Sequence, residues 1–280
     1  SFIYYQYIFY QKSDYFYSVE GSNTDLVRMV DTVDSIDATS LVYKDPRKSA
    51  LNGGISVPVM KGNGERFAFQ LSFGLHDKLQ AVWNVSQPQG QGDPTRCNLD
   101  LKFMPQNDTL KGFLKRIDES ILKESCNHEE WFTTFNLRGA FDITTLRGMY
   151  KPLVQVNEKY NYEAIRVKVV LPSEKNKYPT EILVVTDEDV DEGKTILKYR
   201  KGDYTDLKRG AECIVTVDTQ GLWFAKLLNN YGLSLNATTI LTWPSKNEQS
   251  SSKGVSNFKL GDTVFVLNEN DDMTVDDCSL

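Results

Sequence analysis

Hydrophobic and polar residues alternate in many short stretches of the chain, as they do in half-buried β-strands. Between residues 164 and 171, for example, Ile165, Val167 and Val169 alternate with Arg166 and Lys168. A similar period of two, or a short apolar run, occurs at residues 55–59, 66–71, 79–85, 97–103, 180–186, 195–199, 212–217, 222–227, 238–243 and 263–267. The chain is therefore predicted to be mainly β.

The first two clear strands are predicted to pair with each other. Residues 55–59 and 66–71 are separated by Lys-Gly-Asn-Gly at 61–64, which is typical of a tight turn. We therefore expect a hairpin. Because a proline nitrogen has no hydrogen to donate to a neighbouring strand, Pro58 places the first strand at an edge or a bulge.

One segment has the period of a helix instead. Apolar residues recur at spacings of three and four between residues 110 and 122, and Asp108 is suited to the N-cap. A shorter helix is predicted over 142–149, before Pro152. The predicted order is a group of strands, an inserted helical segment and a second group of strands. This order favours a β-barrel over an alternating α/β fold.

The chain is predicted to have one folded domain with dissimilar ends. Residues 29–245 form the domain, with the helical insertion around 108–150, followed by a Ser-rich linker and a terminal strand (246–267) and an acidic tail (268–280). Residues 1–28 are rich in Tyr and Phe. They are either upstream translation before a true start at Met29, and so not native, or a tag-like or partner-binding strand.

The distribution of charge matters more than its sum. The net charge of −6 argues against a nucleic-acid partner, but the tail carries five acids and no Lys or Arg, so the rest is close to neutral. The most basic window is 194–209. The sequence contains no run of 18 apolar residues of the kind that spans a membrane.

Signatures of catalysis are lacking. No phosphate-binding loop, nucleophile elbow or metalloprotease motif occurs. The four cysteines are far apart in sequence, and His76 and His128 are the only histidines. We therefore predict no enzyme activity, no cofactor and no metal site. Scattered thiols also favour an intracellular protein.

Six segments, in order, resemble the single-stranded-DNA-binding protein family of nucleocytoplasmic large DNA viruses of algae and protists, which is distantly related to podophage-type proteins with an acidic tail. The segments are Asn-Gly-Gly-Ile-Ser-Val-Pro-Val at 52–59, Leu-Asp-Leu-Lys-Phe at 99–103 with the helix at 110–122, Glu-Trp-Phe at 130–132, Tyr-Lys-Pro-Leu at 150–153, Ile-Arg-Val-Lys-Val at 165–169, and Gly-Leu-Trp-Phe at 221–224 with Tyr-Gly-Leu-Ser-Leu at 231–235. Residues 225–230 depart from the family, in which a tighter glycine-containing turn is usual at this place. The segment that leads into the last block, Asp-Thr-Gln-Gly at 218–221, also departs from the family.

The resemblance implies an OB-fold barrel that binds single-stranded DNA independently of sequence. Such barrels combine basic groups with aromatic rings on which bases stack. The expected DNA-binding residues are Arg66, Phe69, Arg166, Lys168, Lys198, Tyr199, Arg200, Lys201 and Trp223. For Trp223 and Phe224, burial of at least one ring in the core is the alternative, and Trp131 is expected in the core.

The acidic tail is expected to be disordered, to compete with DNA for the groove and to recruit replication proteins through Asp276, Asp277 and Leu280. The protein would then support DNA replication, recombination or repair at a viral replication site in the cytoplasm or nucleus of an infected protist or alga. No membrane partner is expected, and a homodimer is left open. The alternative function is a structural or protein-interaction paralogue that kept the barrel and lost DNA binding.

Overall fold

A computed structural model describes most of the central part of the chain. The described residues are 36–48, 55–85, 95–133, 135, 141–174, 176–191 and 194–245, with Val33 and two short strands near the N-terminus. The predicted linker, terminal strand and acidic tail lie outside the described residues, as does most of segment 1–28.

The described residues of the first half of the chain form nine strands and the longest described helix. The strands are β1 (Gln6–Phe9), β2 (Tyr17–Val19), β3 (Val42–Tyr43), β4 (Arg47–Lys48), β5 (Ile55–Val57), β6 (Val59–Met60), β7 (Ala68–Gln70), β8 (Leu79–Ala81) and β9 (Arg96–Lys102). The helices that follow are a 3₁₀ turn at Pro105–Asn107, α1 (Asp108–Ser125) and a second 3₁₀ turn at Glu129–Phe132.

The second half is a short helix followed by longer strands. Its elements are α2 (Ile143–Met149), β10 (Tyr150–Lys151), β11 (Gln155–Asn157), β12 (Tyr162–Val170), β13 (Glu181–Asp191), β14 (Lys194–Gly202), β15 (Glu212–Ala225) and β16 (Asn230–Trp243). Two 3₁₀ turns, at Tyr204–Asp206 and Lys226–Leu228, precede and follow β15.

Five of these strands close into a barrel. β8 pairs with β9 and β9 with β12, both antiparallel, and β12 pairs in parallel with β16. β16 pairs antiparallel with β15, which pairs antiparallel with β8 and completes the ring. Numbered in chain order, the five strands are connected 1-2-3-5-4-1. This is a five-stranded Greek-key barrel of the OB type, so the predicted fold class is confirmed.

The predicted alternation determines which side chains fill the barrel. Ile165, Val167 and Val169 of β12 are almost fully buried in the main core, whereas Arg166 is exposed and Lys168 half-buried on the opposite face. The apolar face of α1 belongs to the same core, because its predicted apolar positions are all at most 2% exposed. Trp131 is buried there too, as predicted.

The predicted hairpin forms only at its turn, where the Lys61 amide donates a hydrogen bond of 2.9 Å to the Glu65 carbonyl, and β5 and β7 do not pair with each other. β5 and β7 both pair with β15, through Val57 opposite Leu222 and Phe69 opposite Val217. Between the two segments only an isolated bridge joins Met60 to Arg66. The long strand β15 offers each of them more hydrogen-bonding partners than they offer each other. Pro58, which has no N–H to donate to a neighbouring strand, lies between β5 and β6.

The helix starts differ in how they are capped. Asp142 caps α2, since its side chain accepts a hydrogen bond of 2.8 Å from the Thr145 amide. The predicted cap at Asp108 is wrong, because Asn107 occupies that position. The Asn107 side chain accepts a hydrogen bond from the Met104 amide and donates one to the carbonyl of Asp77. These bonds join the start of α1 to the loop before β8.

Gly221 permits β15 to bulge against β5. Its φ of +103° lies in the region that favours glycine, and the strand register shifts between Thr219 and Gly221. A Cβ at this position would collide with the carbonyl oxygen of Val57. The bulge therefore allows one strand to pair with β8, β7 and β5 in succession.

A buried carboxyl joins α1 to the segment that follows α2. Asp118 accepts hydrogen bonds from the hydroxyl of Tyr150 (2.7 Å) and the amide of Leu153 (3.0 Å). Burial raises the pKa of Asp118 from 3.8 to about 7, although these two donors act in the opposite direction.

This raised pKa predicts a stability that depends on pH. The folded protein holds the Asp118 proton more tightly than the unfolded chain does, so this contribution is fully present below pH 4 and is lost as pH rises through 7. Between pH 5 and 8 we expect the free energy of unfolding to fall by on the order of 2 kcal/mol more in the wild type than in Asp118→Asn. Urea unfolding at several pH values measures this difference, and parallel pH profiles for the two proteins would contradict it.

Candidate nucleic-acid interface

The outer face of β9 and β12 is polar. Outward-pointing residues pair across the two strands, with Arg166 opposite Asp100 and Lys168 opposite Asn98. The guanidinium of Arg166 binds both carboxylate oxygens of Asp100, at 2.6 and 2.9 Å, and this partner raises the pKa of Arg166. Burial, followed by the neighbouring charge of Arg96, lowers the pKa of Lys168.

The predicted basic residues do not form one surface. Arg166 and Lys168 are neighbours on β12, but residues 198–201 belong to β14, which is separated from β12 by β13 and β16. Three strand spacings amount to about 14 Å. Residues 198–201 are therefore not direct neighbours of Arg166 and Lys168.

Most of the predicted basic side chains already bind acidic partners. Lys198 lies 2.9 Å from Asp187, and Arg200 lies 2.5 Å from Asp206. The Arg66 guanidinium contacts the Asp218 carboxylate. Lys201 is exposed, and Tyr199 is half-buried against the small apolar cluster around Leu183, Val185 and Leu197.

Phe69 is not a surface residue, and its prediction as a DNA contact is wrong. The side chain is completely buried, and its ring lies 5.0 Å from that of Phe67 and 5.6 Å from that of Phe113 of α1. The ring is part of the packing between the barrel and α1, so no base could stack on it.

Trp223 lies in a row of aligned residues near the β15–β16 turn. The cross-strand partners run from Arg47 through Ser56, Trp223 and Gly232 to Lys151, each directly opposite the next. The indole lies over the bare backbone of Gly232, where a Cβ would be 3.3 Å from Trp223 Cζ2. Trp223 is half-buried between two exposed cations, while Phe224 is buried, as the core alternative predicts for at least one of these rings.

A second set of rings, which the sequence did not reveal, is more exposed. Trp83 and Tyr160 are 45% and 52% exposed, with ring centroids 6.0 Å apart. The rings of Tyr160 and Tyr162 are 6.4 Å apart and within 14° of parallel. The Arg209 guanidinium lies 5.7 Å from the Trp83 ring, and the Lys159 ammonium lies 5.1 Å from the Tyr160 ring. We call Trp83, Tyr160 and Tyr162 the aromatic cluster.

Local hydrogen bonds hold the aromatic cluster in place. Asn84 and Val85 bind the loop before β15, through the amide of Arg209 (2.8 Å) and the carbonyl of Leu207 (3.0 Å). In the turn before β12, the side chain of Asn157 accepts from the amide of Tyr160 and donates to the hydroxyl of Tyr162, both at 3.2 Å. Asn161 has a φ of 47°, a conformation that asparagine adopts more readily than most residues.

The start of β12 borders two clefts that open to solvent. One, of about 330 Å³, is lined by Asp100, Ala164, Ile165, Arg166, Tyr162 and residues 155–158. The other, of about 460 Å³, includes Lys102, Lys111 and Glu163, and it shares Val156 and Tyr162 with the first. Tyr162 therefore stands between two recesses of different charge.

Other kinds of site are not evident in the described part of the chain. No group of three or more His, Cys, Asp or Glu residues there could hold a metal ion. None of the described helices is long and apolar enough to cross a membrane.

The fold and the aromatic cluster thus define an OB-type barrel with a cation-flanked aromatic surface. No protein-family model matches the chain, and neither does any curated protein. Among solved structures, the chain is similar to a C-terminally truncated single-stranded DNA-binding protein from bacteriophage Enc34, at 15% identity and a TM-score of 0.38, over 74% of this chain and 96% of that one.

Two further structures are similar to a comparable extent. The Enc34 protein in complex with ssDNA has 16% identity and a TM-score of 0.34, over 70% of this chain and 92% of that one. The single-stranded DNA-binding protein gp2.5 encoded by bacteriophage T7 has 10% identity and a TM-score of 0.37, over 70% of this chain and all of that one. The barrel is identified as the OB type by the strand pairings of this chain.

The burial of Phe69 can be tested by stability. We expect Phe69→Ala to lower the free energy of unfolding by about 3–5 kcal/mol, because it leaves a cavity between the barrel and α1. Tyr178→Ala, at a ring that is 76% exposed, should change it by less than about 0.5 kcal/mol. Equal, small effects in urea unfolding would place Phe69 at the surface instead.

Proposed function

We propose that this protein binds single-stranded DNA without strict sequence preference, and that the aromatic cluster is its main stacking surface. The observation that supports this most is the aromatic cluster itself, in which Trp83 and Tyr160 are exposed and Tyr162 is half-buried, with Arg209 and Lys159 beside the exposed rings. Rings of this kind accept any base, and neighbouring cations suit the phosphates between bases.

The position of the cluster on the barrel fits this function. Trp83 follows the first strand of the five-stranded ring, and Tyr162 begins the third. In OB folds, oligonucleotides bind the outer face of the second and third strands and the loop between the first and second. The cluster therefore borders the surface where this architecture accommodates a single strand.

Stacking should contribute more to affinity than phosphate contacts do. Arg66, Arg166, Lys198 and Arg200 already contact carboxylates of the same chain. A phosphate that approached any of them would compete with that carboxylate, so the net electrostatic gain is small. Each stacked base, in contrast, contributes roughly 1–3 kcal/mol.

The finer assignment is that the protein acts in DNA replication, recombination or repair of a large DNA virus, inside an infected protist or alga. The six ordered segments of resemblance support this. In the same proposal, the acidic tail competes with DNA for the outer face and recruits replication proteins through Asp276, Asp277 and Leu280. A homodimer is compatible with it.

A structural or protein-interaction role is the second candidate. It is favoured by the turn that joins β15 to β16, where Leu227 is 98% and Leu228 72% exposed. Two adjacent exposed leucines suit a protein contact better than a phosphate backbone. This turn is also where the sequence departs from the family that it resembles.

The two candidates differ in how the chain should respond to oligo-dT. Fluorescence anisotropy at low salt should show binding by the full chain and tighter binding by a chain that lacks residues 268–280. Affinity should fall as salt is added, since bound phosphates release counterions. If neither form binds at low salt, the DNA-binding proposal is wrong and the interaction role is favoured.

Substitutions in the aromatic cluster should weaken this binding selectively. We expect Trp83→Ala and Tyr160→Ala each to raise the Kd for oligo-dT roughly tenfold, through loss of a stacking surface. Tyr178→Ala removes an exposed tyrosine outside the cluster, next to Lys177, and should change the Kd less than about twofold. Equal effects of all three substitutions would show that the aromatic cluster has no special role.

A further inference from the structure

We propose that the turn between β15 and β16 holds the end of a DNA duplex, so that the protein binds a junction of duplex and single strand. This inference rests on the proposed function, to which it adds a second DNA contact. The turn presents Leu227 and Leu228, which are 98% and 72% exposed. Apolar side chains of this kind serve as wedges in proteins that contact stacked base pairs. The two leucines can therefore pack against the last base pair of a duplex.

Backbone hydrogen bonds give this turn a defined shape. Its 3₁₀ segment ends at Asn229, whose φ of 48° lies in the left-handed region. The Asn229 amide donates to the carbonyl of Lys226 at 3.3 Å, and Ala225 lies opposite Asn230 at the base of the turn. The leucines thus lie at the closed end of a hairpin whose two strands have 14 residues each.

Exposed cations lie close to the turn. Trp223 and its aligned neighbours are two residue pairs away, about 7 Å along the strand. That row ends in Arg47 on one side and Lys151 on the other, and Lys226 begins the turn itself. None of these three exposed cations forms an ion pair with a described residue, unlike the basic residues that contact carboxylates elsewhere on the barrel. Their charge is therefore available to phosphates.

The length of the row suits the two strands of a duplex. Arg47 and Lys151 are separated by four strand spacings, which amount to about 19 Å. This span is comparable with the width of a DNA duplex, so each cation can meet the phosphates of a different strand.

Two other occupants match this surface less well. A single strand needs free rings, but the Trp223 ring is half-buried and lies over the backbone of Gly232. A protein partner would have to be apolar and acidic at the same place. The end of a duplex combines an apolar base pair with two phosphate backbones, and so meets both requirements.

A hairpin DNA with a single-stranded oligo-dT tail tests this inference. β15 spans at most about 43 Å between the loop of Arg209 and the turn, so a tail of about twenty nucleotides can reach the aromatic cluster from the turn. We expect the full chain to bind this hairpin, with its tail at one or the other end of the strand, about tenfold more tightly than oligo-dT with the same total number of nucleotides. The same hairpin without a tail should bind more weakly than the tailed one. Fluorescence anisotropy measures the Kd values.

Removal of the leucines should abolish this preference. In Leu227→Ser/Leu228→Ser we expect the Kd values for tailed hairpin and oligo-dT to agree within about twofold, while binding to oligo-dT is unchanged and shows that the variant is folded. Tyr178→Ala removes an exposed ring elsewhere and should keep the preference. Arg47→Gln/Lys151→Gln should reduce it and make junction binding less dependent on salt.

Equal binding of the tailed hairpin and either control DNA by the wild type would overturn the assignment of the turn and leave the proposed function standing. A preference that survives the loss of both leucines would do the same. If that variant also differs from the wild type in mass by light scattering, the turn is a protein contact instead. Failure of the wild type to bind any of these DNAs would overturn the proposed function itself.

Discussion

The barrel depends on the pairing of β15 with strands from both ends of the domain. β15 pairs with β8 at its start, then with β7, and with β5 beyond the bulge at Gly221, while β16 follows its whole length. These pairings close the five-stranded ring and fix the inside and outside of every other strand. Since side chains alternate along a strand, closure also determines which residues can meet a ligand.

That outer surface combines residues that are distant in sequence. Trp83 at the end of β8 meets Tyr160, which lies in the turn before β12, and Arg209, which lies in the loop before β15. Carboxylates of the same chain hold Arg66, Arg166, Lys198 and Arg200 in ion pairs. The exposed rings of Trp83 and Tyr160 are therefore the groups most available to a ligand. A chain with a net charge of −6 can therefore still offer a surface suited to single strands.

Local pattern was enough to predict the strands and helices but not their partners. The alternation of Val167 and Val169 with Arg166 and Lys168 predicts both the strand and its outward face. The spacing of Leu110 and Phe113 predicts α1. The burial of Phe69 cannot be predicted locally, because its neighbours in sequence do not show that Phe113 of α1 packs over it. The turn at 61–64 is predictable from its glycines, but the strands on either side of it pair with β15, a 14-residue strand far away in sequence. Such choices are decided by long-range pairing, which a local pattern does not contain.

The aromatic cluster could have been suspected, but not established, from sequence. Tyr160 and Tyr162 flank an asparagine in a polar stretch with Lys159, which is unusual for rings that belong to a core. The residues next to Trp83 do not indicate that its ring is exposed, because it follows an apolar run and is predicted to belong to the same strand. Only the folded barrel, with the loop of Arg209 tied to Asn84, places the three rings together.

The proposed function requires that a base of a bound single strand stacks on Trp83. Tryptophan emission during a titration with oligo-dT tests it directly, because a stacked base quenches the indole it covers. We expect strong quenching in the wild type and loss of most of it in Trp83→Phe, with Trp223→Phe retaining it. Quenching that survives in Trp83→Phe and disappears in Trp223→Phe would show instead that the binding surface lies at the β15–β16 turn.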